Sequence, residues 1–344
     1  MRGAAYLLAR LKQLIAPVVV LPVILTITPL SAQDADWSSV IAAAKKEGQV
    51  VFYNGSVGLP ESISKLFQQK YGIEVLRVDG RATEIRERIR TEQASGRFIG
   101  DIMVNGLSTA GPQKAEGTLQ AHGVLANARE IKPPFVDDGT LTPIVVNTFG
   151  MMVNTTMVKP EDEPKSWADL LDPKWKGKIL SDDPRAAGGG VAAFSVLLDV
   201  LGRDFHNKLA EQNLVMVRDV SVATQRVGRG EYPIFIPMSV TYLNGVQGMP
   251  VKGIMPREGA PYSPIVGAMV KQAPHPNAAR LFLNFLIEPE AQAILIDRGS
   301  RSPTGAESAT VSPHVRDLVR ATLMGPADPT RQPEMLKLFS EIYK

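Results

Sequence analysis

The 344-residue chain contains no cysteine. That absence excludes disulfides, thiolate nucleophiles, cysteine metal sites and a lipid anchor on an N-terminal cysteine. Histidine is scarce: His122, His206, His275 and His314 are the whole set, and no zinc-type spacing occurs. The chain lacks a nucleotide phosphate loop and a nucleophile elbow, so neither motif-based nucleotide binding nor serine-hydrolase chemistry is expected. It also lacks internal repeats and low-complexity tracts. Excess charge is nearly absent. Lys+Arg number 38 against 35 Asp+Glu, and Arg2, Arg10 and Lys12 account for the whole difference. A neutral remainder gives no footprint for nucleic acid.

What is present begins with those three bases. They precede an apolar run from Leu14 to Leu30 and the small residues Ser31 and Ala32. This layout predicts a secretory signal over residues 1–32, cleaved near Ala32. Pro17, Pro22 and Pro29 argue against a retained membrane-spanning helix. The remainder is ample for two lobes, each with its own core.

Helical and strand patterns then alternate. Asp36 is placed to cap a helix carrying Trp37, Val40, Ile41 and Ala44 on one face, stopped by Gly48. A strand over Val50–Tyr53 follows. Pro60 opens a second helix that Gly72 ends, and Ile73–Val78 reads as a strand. Thr83–Ser95 is a charged helix with Glu84–Arg88 and Arg88–Glu92 spacings, and Asp101–Asn105 is a third strand. This alternation predicts an α/β fold with doubly wound, mostly parallel sheets flanked by helices. Ligands of such sheets lie beyond the carboxyl ends of the strands. Asn54, Ser56, Arg81 and Asn105 stand there and are candidate ligand-binding residues. Asn54 and Ser56 are also turn formers, and Arg81 has Asp79 and Glu84 as alternative partners.

The stretch Ser166–Gly190, SWADLLDPKWKGKILSDDPRAAGGG, reads as helix, turn, strand and a glycine-rich loop opening onto an apolar helix. Bare amides at a positive helix end suit an anion, which nominates Gly188, Gly189 and Gly190. The alternative is a connection that needs positive φ. Arg185 is either a bidentate clamp on a carboxylate or phosphonate, or a partner of Asp182 or Asp183 in the DDPR turn. Asp182 and Asp183 read as turn and capping residues. Helices over Val191–Leu201 and Asp204–Gln212, a strand at Leu214–Val217, a helix over Ser221–Gly228 and a strand at Ile234–Pro237 come next. Ser239 and Tyr242 follow that strand. Leu141–Asn154 and Ile265–Lys271 read as crossings between lobes. Helices over Pro276–Ile287 and Pro289–Asp297 precede a helical tail, Thr310–Lys344.

Four runs resemble the periplasmic solute-binding proteins of ABC importers, within them the ferric-binding branch. They are VVFYNGS at Val50–Ser56, SWADLLDPKWKGKI at Ser166–Ile179, RGEYPIFI at Arg229–Ile236, and PHPNAARLFLNFLIEPEAQ at Pro274–Gln292. The resemblance implies a monomeric, periplasmic, two-lobed hinged protein. It would close on one small anionic ligand and dock on an ABC permease served by its ATPase subunit. It needs no cofactor and is not an enzyme. It implies lobe 1 over residues 33–147 and 265–310 and lobe 2 over 148–264, with C-terminal helices over 311–344. In the branch, small residues at a helix N-terminus hold a synergistic anion, and Gly188–Gly190 occupy that place.

The branch also places a histidine after the first-strand YNG, an acid after the third strand, and adjacent tyrosines after the RGE strand. Here those places hold Val57, Asn105 to Leu107, and Met238 to Val240. No direct metal ligands are therefore assigned. The leading expectation is capture of an organic acid, a phosphonate or an anion-chelated metal. A ferric receptor and a receptor feeding a membrane sensor stay open as alternatives.

Overall fold

The computed structural model describes residues 37–55, 59–307, 310–311 and 313–344. The expected signal segment lies outside the described residues. The first lobe opens with α1 (Trp37–Glu47), β1 (Gln49–Asn54), α2 (Glu61–Tyr71), β2 (Glu74–Asp79), α3 (Ala82–Ala94), β3 (Ile102–Gly106), α4 (Leu107–Ala115) and the two-residue β4 (Leu119–Gln120). β1 pairs in parallel with β2 and β3. Helices cover both faces because β1 alternates. Val50 and Phe52 point into a core with α1 and α2, whereas Val51 and Tyr53 meet Ile85 and Ile89 of α3. Gly72 takes φ 70° and closes α2 through its amide to Gln68.

The second lobe repeats the scheme. It holds β6 (Ile179–Asp182), α5 (Gly189–Ala210), β7 (Val215–Val217), α6 (Val220–Gly228), β8 (Ile234–Ser239) and β9 (Val251–Ile254), all after β5 (Thr142–Asn154). β6 is parallel to β7 and β8. Ile234 and Ile236 face Trp167, Phe194 and Leu197 on one side, and Phe235 faces Ala223 and Val227 on the other. α5 is two helical segments, as expected over 191–201 and 204–212, separated where Gly202 takes φ 80° and ψ 171°.

β10 (Ala260–Val270) and β5 join the halves. The strand order is β2-β1-β3-β10-β5-β8-β6-β7, so β5 pairs with β10 along its first half and with β8 and β9 along its second. β10 starts five residues earlier than the sequence suggests, because Pro261 and Pro264 disguise its first half. α7 (Pro276–Leu286) and α8 (Pro289–Ile296) return to the first lobe, where Phe67 and Phe282 meet edge to face at 4.8 Å.

The tail is not all helix. α9 (Pro313–Val319) is followed by β11 (Leu323–Pro326), which extends β10 in parallel, and by α10 (Gln332–Ile342). α10 buries Met335 and Phe339, with Tyr343 beyond it, in the second lobe's core. No helix among the described residues is long and apolar enough to cross a membrane.

Candidate functional site

The carboxyl ends of the central strands open onto a cavity of about 400 Å³. First turns of five helices reach it: α3 through Ala82 and Thr83, α4 through Ser108 and Thr109, α5 through Gly189, α6 through Ser221 and Thr224, and α10 through Gln332. Asn147 and Phe149 of β5 and Ser263 and Ile265 of β10 form its back, and Thr241, Tyr242 and Asn244 close the second-lobe side. The first turns of α4, α5 and α10 carry no side-chain cap, whereas Asp219 caps α6 by accepting from Ser221 and Val222. Helix N-termini present unpaired amides and about half a positive charge each.

Arg298 is the one charged residue among the described lining residues, and it is exposed. Among the described residues no carboxylate lines the cavity with it. Its carbonyl accepts from Asn244 Nδ2 at 2.7 Å, which ties the turn after α8 to the second lobe.

The candidate residues divide. Asn105, Gly188, Gly189 and Tyr242 line the cavity. Asn105 is fully buried; its amide donates to Ala82 O at 3.1 Å and accepts from Gly106 N–H. It lies so close to Gly55 that a Cβ there would sit 2.9 Å from its Nδ2, which is why residue 55 carries no side chain. Gly188 takes φ 155° at the start of α5, as the connection reading expects, and it also lines the cavity.

The others stand apart. Gly190 is buried behind the turn, and its N–H donates to the Asp182 carboxylate rather than to the cavity. Arg185 is absent from the lining. Its Nε and Nη2 donate to Asp183 at 2.7 and 3.1 Å, and its Nη1 donates to Tyr343 O at 2.9 Å. This fork is engaged by a buried carboxylate and the Tyr343 carbonyl, the pairing with Asp183 that the DDPR turn offered as the alternative. Arg81 is also absent from the lining. Its side chain is 86% exposed and lies 3.9 Å from Glu84, whose carboxylate accepts its backbone N–H. Asn54 sits just below the site, donating to Asp79 at 2.6 Å. Ser239 bonds Thr241 at 2.9 Å, and it is Thr241 that reaches the cavity. Ser56 lies outside the described residues.

Two groups near the site are strongly perturbed. Burial, and then the neighbouring Asp183 charge, pushes the Asp182 carboxyl up to about 7. Burial, reinforced by Asp182, raises the Tyr242 phenol and keeps it protonated.

The model of the bacterial extracellular solute-binding protein family matches residues 99–321. The chain belongs to that family. This solute-binding protein is 23% identical to an uncharacterized protein of Haemophilus influenzae over 277 residues, 76% of this chain and 79% of the relative. A Salmonella typhimurium protein, provisionally named a 2-aminoethylphosphonate-binding periplasmic protein, is 27% identical over 243 residues, 66% of this chain and 68% of that one. Among solved structures, iron-bound HitA from Pseudomonas aeruginosa superposes with a TM-score of 0.69 at 19% identity, over 86% of this chain and 99% of its own. The two-lobed fold of periplasmic binding proteins is thus shared, and the chain is an extracellular solute-binding protein.

The sequence reading missed Arg298. It stands in an Asp-Arg-Gly turn after α8, where a cation reads as a helix-end residue. Only the return of that turn to the cleft gives it another role.

Proposed function

We propose that this protein is a periplasmic receptor that captures a small organic anion between its lobes and hands it to a permease driven by a separate ATPase. The observation that carries the reading is the lining: among the described residues it has several uncapped helix N-termini and an arginine with no salt-bridge partner, and no carboxylate. Closure excludes water and strengthens these contacts. Micromolar capture needs only about −8 kcal/mol, which a few charge-assisted hydrogen bonds supply after the cost of closing. The Salmonella relative's name, with its phosphonate, agrees with an anion.

A directly coordinated ferric ion is the less favoured reading. Among the described residues the lining offers one phenol, held protonated, and neither carboxylate nor imidazole. Hard cations of that kind want anionic oxygen donors.

The test is native mass spectrometry of protein purified from its host, followed by thermal shift with benzoate, succinate, sulfate and 2-aminoethylphosphonate beside ferric citrate, spermidine and glucose. Anions are expected to raise the melting temperature by mass action. Stabilisation by spermidine or glucose alone contradicts the proposal, as does a coloured iron-loaded protein without a chelating anion.

A further inference from the structure

Asp182 ends β6 directly beneath the glycine turn. A Cβ on Gly190 would lie 3.0 Å from its Cγ, and one on Gly189 would lie 3.6 Å from its Oδ2. The glycines therefore let this carboxyl press against the floor of the cavity without lining it. It accepts from Gly190 N–H and so occupies the same helix end, that of α5, whose Gly188 and Gly189 face the ligand space. Two anions then share one helix terminus whenever Asp182 is ionised and a ligand is bound.

Among the described residues no salt bridge to this carboxyl is formed. Its neighbour Asp183 is already matched by Arg185 at 2.7 Å and Arg218 at 3.6 Å. From the turn after β8 it meets the neutral Tyr242 phenol, and from β5 the Phe149 ring lies beside Gly189. α5 contributes only its amides.

Resting on the anion reading above, we propose that ligand binding in this cleft is linked to proton uptake at Asp182, which makes the protein a proton-coupled anion receptor. An incoming anion disfavours the ionised carboxylate, and by reciprocity the ionised carboxylate disfavours the anion. The group titrates close to neutrality, so the linkage operates at ordinary pH. Affinity falls as pH rises, because the proton that accompanies the ligand becomes harder to supply.

The test is isothermal titration calorimetry with the four anions of the panel, in paired buffers of different ionisation enthalpy, on the wild type and on Asp182→Asn. Asparagine keeps the acceptor for Gly190 and removes the charge. The wild type is expected to take up a fraction of a proton per ligand and to lose roughly tenfold in affinity from about pH 6.5 to about pH 8.5. The variant should show neither effect beyond the ligand's own titration, and at the upper pH it should bind as tightly as the wild type does at the lower. Equal proton uptake and equal pH slopes in the two proteins overturn the linkage while leaving the receptor reading intact. Failure of every anion to bind overturns both. The buffer comparison on the wild type alone decides the matter if the variant does not fold.

Discussion

Arg185 and Arg298 carry the same guanidinium into opposite situations. Arg185 is saturated by Asp183 and the Tyr343 carbonyl, and Arg298 faces the cavity with no salt-bridge partner among the described residues. Arg298→Ala should weaken anion binding about 10- to 100-fold, the worth of hydrogen bonds to a charged group, with the melting temperature little changed. Arg185→Ala should instead cost about 2–3 kcal/mol of stability, because it strands a buried carboxylate, and should leave affinity within a few fold. Calorimetry and denaturant unfolding on the pair separate the roles; equal losses of affinity would contradict them. Local sequence does not distinguish the two residues, since each stands within two residues of an aspartate in a turn. What differs is which distant segment returns to meet it.

Asp182 adds a pH signature of its own. In the unfolded chain it ionises near 3.9, while the folded protein holds its proton to about 7. Between those values the native state binds the extra proton, so stability is lost as pH rises through that window. Asp182→Asn should therefore gain on the order of 2–4 kcal/mol over the wild type at about pH 8, and nothing below about pH 4. Urea titrations at the two pH values read this directly.

Among the elements, α10 is the one whose place carries a titration. Tyr343 beyond its end bonds His206 Nδ1 from its hydroxyl at 2.6 Å, inside a cluster with Phe194, Phe205 and Phe339. Burial pushes the His206 imidazole down to about 4. The unfolded chain takes that proton near 6.5, so stability is lost as pH falls from 6.5 towards 4, by about 3 kcal/mol from this group. A His206→Gln protein should show a shallower acid limb in urea unfolding at successive pH values; an unchanged limb would contradict the assignment. Elements with strong punctuation were legible: α2 between Pro60 and Gly72, and α5 with its break at Gly202. α4 was not, because Gly111 and Pro112 inside it read as loop, and β11 was not, because four residues ending in Gly325 and Pro326 carry no alternation. Chain neighbours stabilise such elements less than the sheet and helices they pack on, and a sequence does not print those.

At the scale of the molecule, two sheets share β5 and aim the carboxyl ends of their parallel strands at one cleft. The alternation of helix and strand sufficed to expect that architecture and to direct attention to the loops beyond the strands. It did not suffice to choose among them. Asn105, Gly188, Gly189 and Tyr242 reach the cavity, while Arg81 and Ser239 turn to neighbours of their own. That choice depends on loop courses and on α10 and the α8 turn, which arrive from far along the chain. The central claim is that the crevice holds an anion by amides of the α5 turn and the Arg298 guanidinium. It is tested most directly by a crystal structure with the tightest-binding anion of the panel. The account predicts the charged end of the ligand about 3 Å from the Gly189 amide and from the Arg298 guanidinium. A ligand seated elsewhere, or a cation or neutral sugar filling that crevice, would contradict it.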